Sequence, residues 1–152
     1  MPSKIVVFGE VLMDTYFREA HTPRAGATLF RYEAVPGGAP ANVAVHLANL
    51  GLPVSLLASF ADDSPGEALR RVLREWGVNL DYSVVHARAA TPLAMVNLTA
   101  KGERSFRLYL RGSAAEQLTP KMLAPGTCDD AAWFHFGSVL LSFPTTRAVT
   151  ET

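Results

Sequence analysis

Cysteine is almost missing from this 152-residue chain. Cys128 alone cannot close an internal disulfide, which excludes a small disulfide-stapled fold and suits a reducing cytoplasm. An excess of one charge is missing too. Fourteen Lys and Arg balance fourteen Asp and Glu, so no net field recruits nucleic acid or an acidic membrane surface. The basic residues, mostly Arg, are scattered rather than clustered. No run of about 18 apolar residues occurs, which excludes a helical membrane span. Near the N-terminus one Lys precedes a short apolar strand and Glu10 follows, so no signal peptide is expected. The chain also lacks the GxxxxGK[ST] and G-x-G-x-x-G phosphate-binding loops. His21, His46, His86 and His135 show no metal-ligand spacing; His46 and His135 are expected to pack, and no metal site is expected. Asn97-Leu98-Thr99 matches a glycosylation sequon by chance, given the compartment.

What is present is apolar and well punctuated. Nearly half of the residues are hydrophobic, enough for one domain with a real core. Lys4 to Gly9 reads as a buried parallel strand, followed by a mixed polar stretch over 15–35 in which Thr28 to Glu33 resembles an exposed strand. A helix is predicted from Ala39 to Leu50, with Pro40 in its first turn and Gly51 as its stop. Val54 to Ser59 is a second buried strand, and Ser64-Pro65-Gly66-Glu67 reads as a capping box opening a helix to Trp76. A short strand is expected within Val78 to Val85. Thr91 to Thr99 and Ser105 to Leu110 alternate as amphipathic strands, joined by a turn over Ala100 to Glu103. Thr119-Pro120 starts a short helix, Ala132 to Phe136 is a further apolar strand, and a last helix begins at Phe143-Pro144. Such alternation predicts an α/β fold, a parallel sheet flanked by helices, with the amphipathic strands in a layer of their own.

Two stretches carry chemistry. In Pro36-Gly37-Gly38-Ala39-Pro40-Ala41-Asn42, glycines let backbone approach a ligand, a helix start offers free N–H donors, and the Asn42 amide both donates and accepts. That suits a neutral polyol. Asp14, in Gly9-Glu10-Val11-Leu12-Met13-Asp14, lies just past the first strand, where α/β sheets bind ligands, and its carboxylate can accept two neighbouring hydroxyls. Plainer roles compete: Asp14 capping a turn, Asn42 as a helix-start residue. Asp62 and Asp63 directly precede a helix and read as structural.

Together these runs resemble the ribokinase-like (PfkB) carbohydrate kinases, in which a GE-x-L-x-D strand end and a GGAPANVA helix start meet around a sugar. The likeness continues through Gly51-Leu52-Pro53-Val54, Ala61-Asp62-Asp63-Ser64-Pro65-Gly66, Gly102-Glu103-Arg104-Ser105-Phe106 and Phe134-His135-Phe136-Gly137-Ser138. It covers nearly the whole chain, and only the first half of such a kinase. The resemblance implies a ribokinase-like sheet with its C-terminal half absent and a small β lid, with lid strands within about residues 15–35 and 91–111. It makes Asp14 the sugar anchor, with Gly37, Gly38 and Asn42 beside it. Alternation puts Arg107, Tyr109 and Arg111 on one face of the second lid strand. The family's aromatic-Tyr-Arg run suggests Tyr109 as a sugar contact; Leu110 takes the usual arginine position, leaving Arg111 open between substrate and surface roles.

No segment matches the family's D-T-x-G-A-G-D element, so no catalytic residue is carried over. ATP and Mg²⁺ are implied for a complete enzyme, with no site for either expected in this chain. The resemblance therefore implies the sugar-binding half of an ATP-dependent kinase, fructokinase-like by Ala90-Thr91-Pro92-Leu93-Ala94 and Gly112-Ser113-Ala114-Ala115, and inactive alone. Alternatives are a 2-keto-3-deoxygluconate kinase, a non-catalytic sugar-binding module, or a remnant without ligand. The chain stops soon after a helix start and leaves the strand at 132–136 without its next neighbour, so pairing through lid strands or an exposed sheet edge into a homodimer is expected.

Overall fold

The computed structural model describes residues 4–24, 27–98 and 103–152. In chain order the elements are β1 (Lys4–Phe8), β2 (Leu12–Arg24), β3 (Ala27–Gly37), α1 (Ala39–Asn49), β4 (Val54–Leu57), β5 (Ser59–Ala61) and α2 (Ser64–Glu75). They continue with β6 (Val84–His86), β7 (Leu93–Leu98), β8 (Arg104–Tyr109), β9 (Ala131–Phe136) and α3 (Pro144–Thr150). Short 3-10 turns cover Ala114–Glu116, Pro120–Met122 and Val139–Ser142.

β1, rich in β-branched residues, is the centre of a parallel sheet in the order β4-β1-β9. Its side chains alternate between two cores. Val7 packs with Leu56, Phe60, Leu69 and Leu73 under α1 and α2, while Val6 and Phe8 pack with Leu57, Leu118, Leu140 and Val149 beneath α3. This is the mixed α/β fold that the alternation of elements predicts.

Both long helices end in Schellman motifs. Gly51 at φ 77° lets its N–H reach Ala48 O while the Leu52 N–H reaches Leu47 O, and Gly77 repeats this after α2. The cap of α2 differs from the sequence reading. Asp63, not Ser64, is the N-cap: its Oδ1 accepts from the Gly66 N–H at 2.8 Å, and with glycine at the third helical position the reciprocal half of the expected capping box does not form.

The apolar run at 54–59 is broken rather than continuous. β4 pairs with β1, whereas β5 pairs with β6, because the chain changes neighbours at Ala58, whose N–H meets the Ser83 hydroxyl. The strand expected within 78–85 shrinks to Val84–His86, preceded by a turn in which Asn79 Oδ1 accepts from the Asp81 N–H.

A second sheet runs β3-β2-β7-β8, with β2 and β7 parallel and the outer pairs antiparallel. The stretch over 15–35 read as mixed and polar supplies most of both arms of its long β2–β3 hairpin. The turn expected at 100–103 lies outside the described residues except for Glu103. Leu12, Ala94 and Leu110 tie this sheet to Val139 and Phe143 near α3. β9 forms an open edge, with Trp133 72% exposed and Phe136 48% exposed, and Phe134 stacks against Phe136 at 5.6 Å. His135 is exposed on this edge and His46 on α1, so neither packs as expected.

Candidate functional site

A cleft of about 380 Å³ opens at the carboxyl edge of the parallel sheet, where β1, the mouth of α1 and the turn after β9 converge. Its volume falls at the lower end of the roughly 300–1,000 Å³ usual for small-molecule sites. Glu10, Asp14, Asn42 and Ser138 supply its polar side chains. Gly38 and Ala39 present backbone, and Leu12, Ala94, Phe106, Leu108 and Val139 give an apolar wall.

Local sequence explains this placement. Gly38 is the N-cap of α1 at φ 104°, a conformation that L side chains rarely adopt, and a Cβ there would come within 2.5 Å of Glu10 O. The helix carries no side-chain cap and no acid in its first turn, and Pro40 has no N–H to satisfy. Apart from the Ala39 N–H, which faces the Glu10 carboxyl, its remaining end donors are left for a ligand. Asn42, one turn in, is exposed to the cleft.

Asp14 stands on β2, between Val35 on β3 and Ala94 on β7. Burial raises its pKa above the usual carboxylate value, and Arg104 on β8 pulls it back down. Gly37 leaves room for that side chain: a Cβ on Gly37 would lie within 2.6 Å of Asp14 Cγ. Four of the six residues singled out from sequence, Asp14, Gly37, Gly38 and Asn42, therefore meet in one place.

Tyr109 and Arg111 do not line that cleft. They border a neighbouring concavity of about 400 Å³, together with Leu110 and Phe143, which shares Leu108 and Val139 with the first. It is the opposite face of β8, through Phe106 and Leu108, that looks onto Asp14. Sequence reasoning assigned no role to Glu10, Ser138, Phe106 or Leu108. Glu10 and Ser138 lay inside the quoted motifs, and Phe106 and Leu108 are the alternate positions to the face that was chosen.

Asp63 acts structurally. Besides capping α2 it accepts from Thr91 N at 2.9 Å and from the Thr91 hydroxyl, tying the helix to the start of β7. Among the described residues no group of three His, Cys, Asp or Glu side chains is placed to hold a metal ion. The cleft's carboxyls suit hydroxyl donors and repel phosphate, so the donor set does not fit a nucleotide triphosphate.

A model of the pfkB family carbohydrate kinases matches residues 2–150. The chain belongs to that family. This pfkB-family chain is 41% identical over 137 residues to Fructokinase-1 of Oryza sativa subsp. japonica, across 90% of its own length and 42% of the rice protein. Its fold superposes on fructokinase from Xylella fastidiosa with a TM-score of 0.84 at 33% identity, covering 99% of this chain and 45% of that one. The Xylella enzyme is also solved with bound ATP. The 2-dehydro-3-deoxygluconokinase of Thermotoga maritima gives a TM-score of 0.70 at 27% identity, covering 88% of this chain and 40% of that one. The chain thus spans less than half the length of the relatives it matches.

Proposed function

We propose that this chain is the sugar-binding half of an ATP-dependent sugar kinase that transfers the γ-phosphoryl group to a hydroxyl of fructose. One observation carries this reading: Asp14, Gly38 and Asn42 converge on a single cleft at the sheet's carboxyl edge. The likeness to fructokinases from rice and Xylella supports it. Phosphoryl transfer needs cations and backbone donors around the phosphates. Among the described residues the cleft has neither a basic lining nor a metal-binding set, so in this reading the ATP-handling groups lie outside the cleft.

A 2-keto-3-deoxygluconate kinase is the second reading, favoured by Arg111 in the adjoining concavity, where it would meet a sugar acid's carboxylate. The lining of the cleft itself, two carboxyls, an amide and a hydroxyl, favours a neutral sugar. The single cysteine supports a cytoplasmic setting. Among the described residues no helix is long and apolar enough to cross a membrane. Exposed Phe17, Phe30 and Tyr32 on the β2–β3 hairpin support pairing of two copies through that sheet.

The test is titration calorimetry of the chain with fructose, ribose and 2-keto-3-deoxygluconate, alongside an ADP-release assay. Saturable binding tightest for fructose, with no ADP above the blank, is expected. Tighter binding of the keto-acid, lost on Arg111→Ala, would replace the fructose assignment, and turnover by this chain would refute the placing of ATP chemistry outside it.

A further inference from the structure

Glu10 is only 3% exposed, yet its carboxyl sits at the floor of the cleft. Burial raises its pKa, against the opposing pull of the Ser138 hydroxyl and the backbone N–H groups of Glu10, Ala39 and Leu140. Oε1 accepts a hydrogen bond from Ser138 Oγ at 2.6 Å; Oε2 is buried and makes no well-formed hydrogen bond, although those N–H groups face the carboxyl. Burying a carboxyl that is half satisfied costs stability, and such exceptions call for a reason. Asp14 is the other titratable group of the cleft lining, and no acid stands in the first turn of α1.

The partner of Glu10 is itself unusual. Ser138 holds φ 68°, ψ −159°, a region nearly confined to glycine, directly after Gly137 at the end of β9. Its hydroxyl bond reaches across 128 residues of sequence to β1's end. Glu10 meanwhile supports the other wall with its backbone, since its carbonyl is the surface against which Gly38 packs. One residue therefore touches both the mouth of α1 and the turn after β9.

Resting on the sugar-cleft reading above, we propose that Glu10 and Ser138 form a positioning pair that locks the turn after β9 against the mouth of α1, keeping Gly38 and Asn42 in register with Asp14 for a neutral polyol. Glu10 acts through Ser138 rather than on the ligand. The device has a thermodynamic signature. A carboxyl whose pKa is raised by folding contributes stability below its ordinary value near 4.3 and loses it as pH rises through the raised value. As pH rises through that raised value, the parent should therefore lose stability that Glu10→Gln keeps.

The experiment is fructose calorimetry at pH 7 on the full 152-residue chain, paired with thermal melts, for Glu10→Ala, Glu10→Gln, Ser138→Ala, Ser138→Gly and the Glu10→Ala/Ser138→Ala double variant. Ser138→Ala should weaken binding about tenfold, Glu10→Ala at least as much, and the double variant no more than Glu10→Ala alone, because Ser138 acts only through that carboxyl. Glu10→Gln, which keeps an acceptor for Ser138, should recover most of that loss and melt at or above the parent. Ser138→Gly should bind as weakly as Ser138→Ala yet melt higher, since glycine accepts the backbone angles. Additive losses, parent affinity in Ser138→Ala, or a Glu10→Gln variant as weak as Glu10→Ala would each overturn the pairing. Loss of binding in Asp14→Asn beside unchanged binding in Ser138→Ala would leave the cleft standing and remove the pair. A parent chain blind to fructose would overturn the cleft reading and this proposal with it.

Discussion

Gly37→Ala separates binding from folding more cleanly than any change to a polar residue. The new Cβ would lie within 2.6 Å of Asp14 Cγ and 3.1 Å of Oδ1, well inside van der Waals contact. Gly37 itself is not in the left-handed region, so alanine meets no backbone strain there. The obstacle is the free end of a part-buried side chain, and Asp14 can swing away by roughly 1 Å. Folding should therefore lose under about 1 kcal/mol, a melting shift of no more than roughly 2–4 °C. Binding should suffer far more, because a charged acceptor moved by about 1 Å no longer meets its hydroxyls. Forfeiting hydrogen bonds to a charged group costs about 1.5–3 kcal/mol, or some 10- to 150-fold in affinity. Calorimetric titration with fructose, set beside a thermal melt, reads both quantities on one sample. Parent-like affinity in a folded Gly37→Ala chain would refute the claim that Asp14 anchors the ligand from its present position.

Three further outcomes follow from the same geometry. Asp14→Ala should weaken fructose binding by about 1.5–3 kcal/mol, checked by calorimetry. Gly38→Ala meets a backbone carbonyl at 2.5 Å and must hold φ 104°, so it should cost about 2–4 kcal/mol of stability in urea unfolding; a loss under about 0.5 kcal/mol would contradict the geometry. Asp63 is lowered in pKa: burial pushes it up, but hydrogen bonds from Thr91 and Gly66 and the charge of Arg70 outweigh that. Its contribution is therefore present above its ordinary value near pH 4 and lost as pH falls through the depressed one, so Asp63→Asn should be less stable than the parent at pH 7 and match it near pH 2.

Much of this fold was legible in the sequence because its signals are local. The run of β-branched residues at β1, Pro40 with Gly51 around α1, and Ser64-Pro65 at the start of α2 each fix an element through short-range chemistry, although the cap itself proved to be Asp63. The β2–β3 hairpin was not legible as a whole. From Phe17 to Ala20 and from Ala27 to Val35 its described residues are exposed, so no buried face imprints an alternating pattern. The division of 54–61 between two sheets was hidden for another reason: every residue there is buried, and an apolar run does not tell which neighbour it pairs with. At the site, Asp14, Gly37, Gly38 and Asn42 were readable from motif chemistry. The face of β8 was not, since alternation names two faces and tertiary packing alone decides that Phe106 and Leu108 look onto the cleft. Glu10 and Ser138 are 128 residues apart, and nothing local announces their bond.

Fructose titration into the ¹⁵N-labelled chain, followed by amide resonances, tests the sugar cleft most directly. Saturable shifts should concentrate at the side-chain amide of Asn42 and the backbone N–H groups of Gly38 and Ala39, and should vanish in Asp14→Ala. Shifts centred instead on the concavity of His86, Arg88 and Gln117, or no shifts at any fructose concentration, would contradict the account.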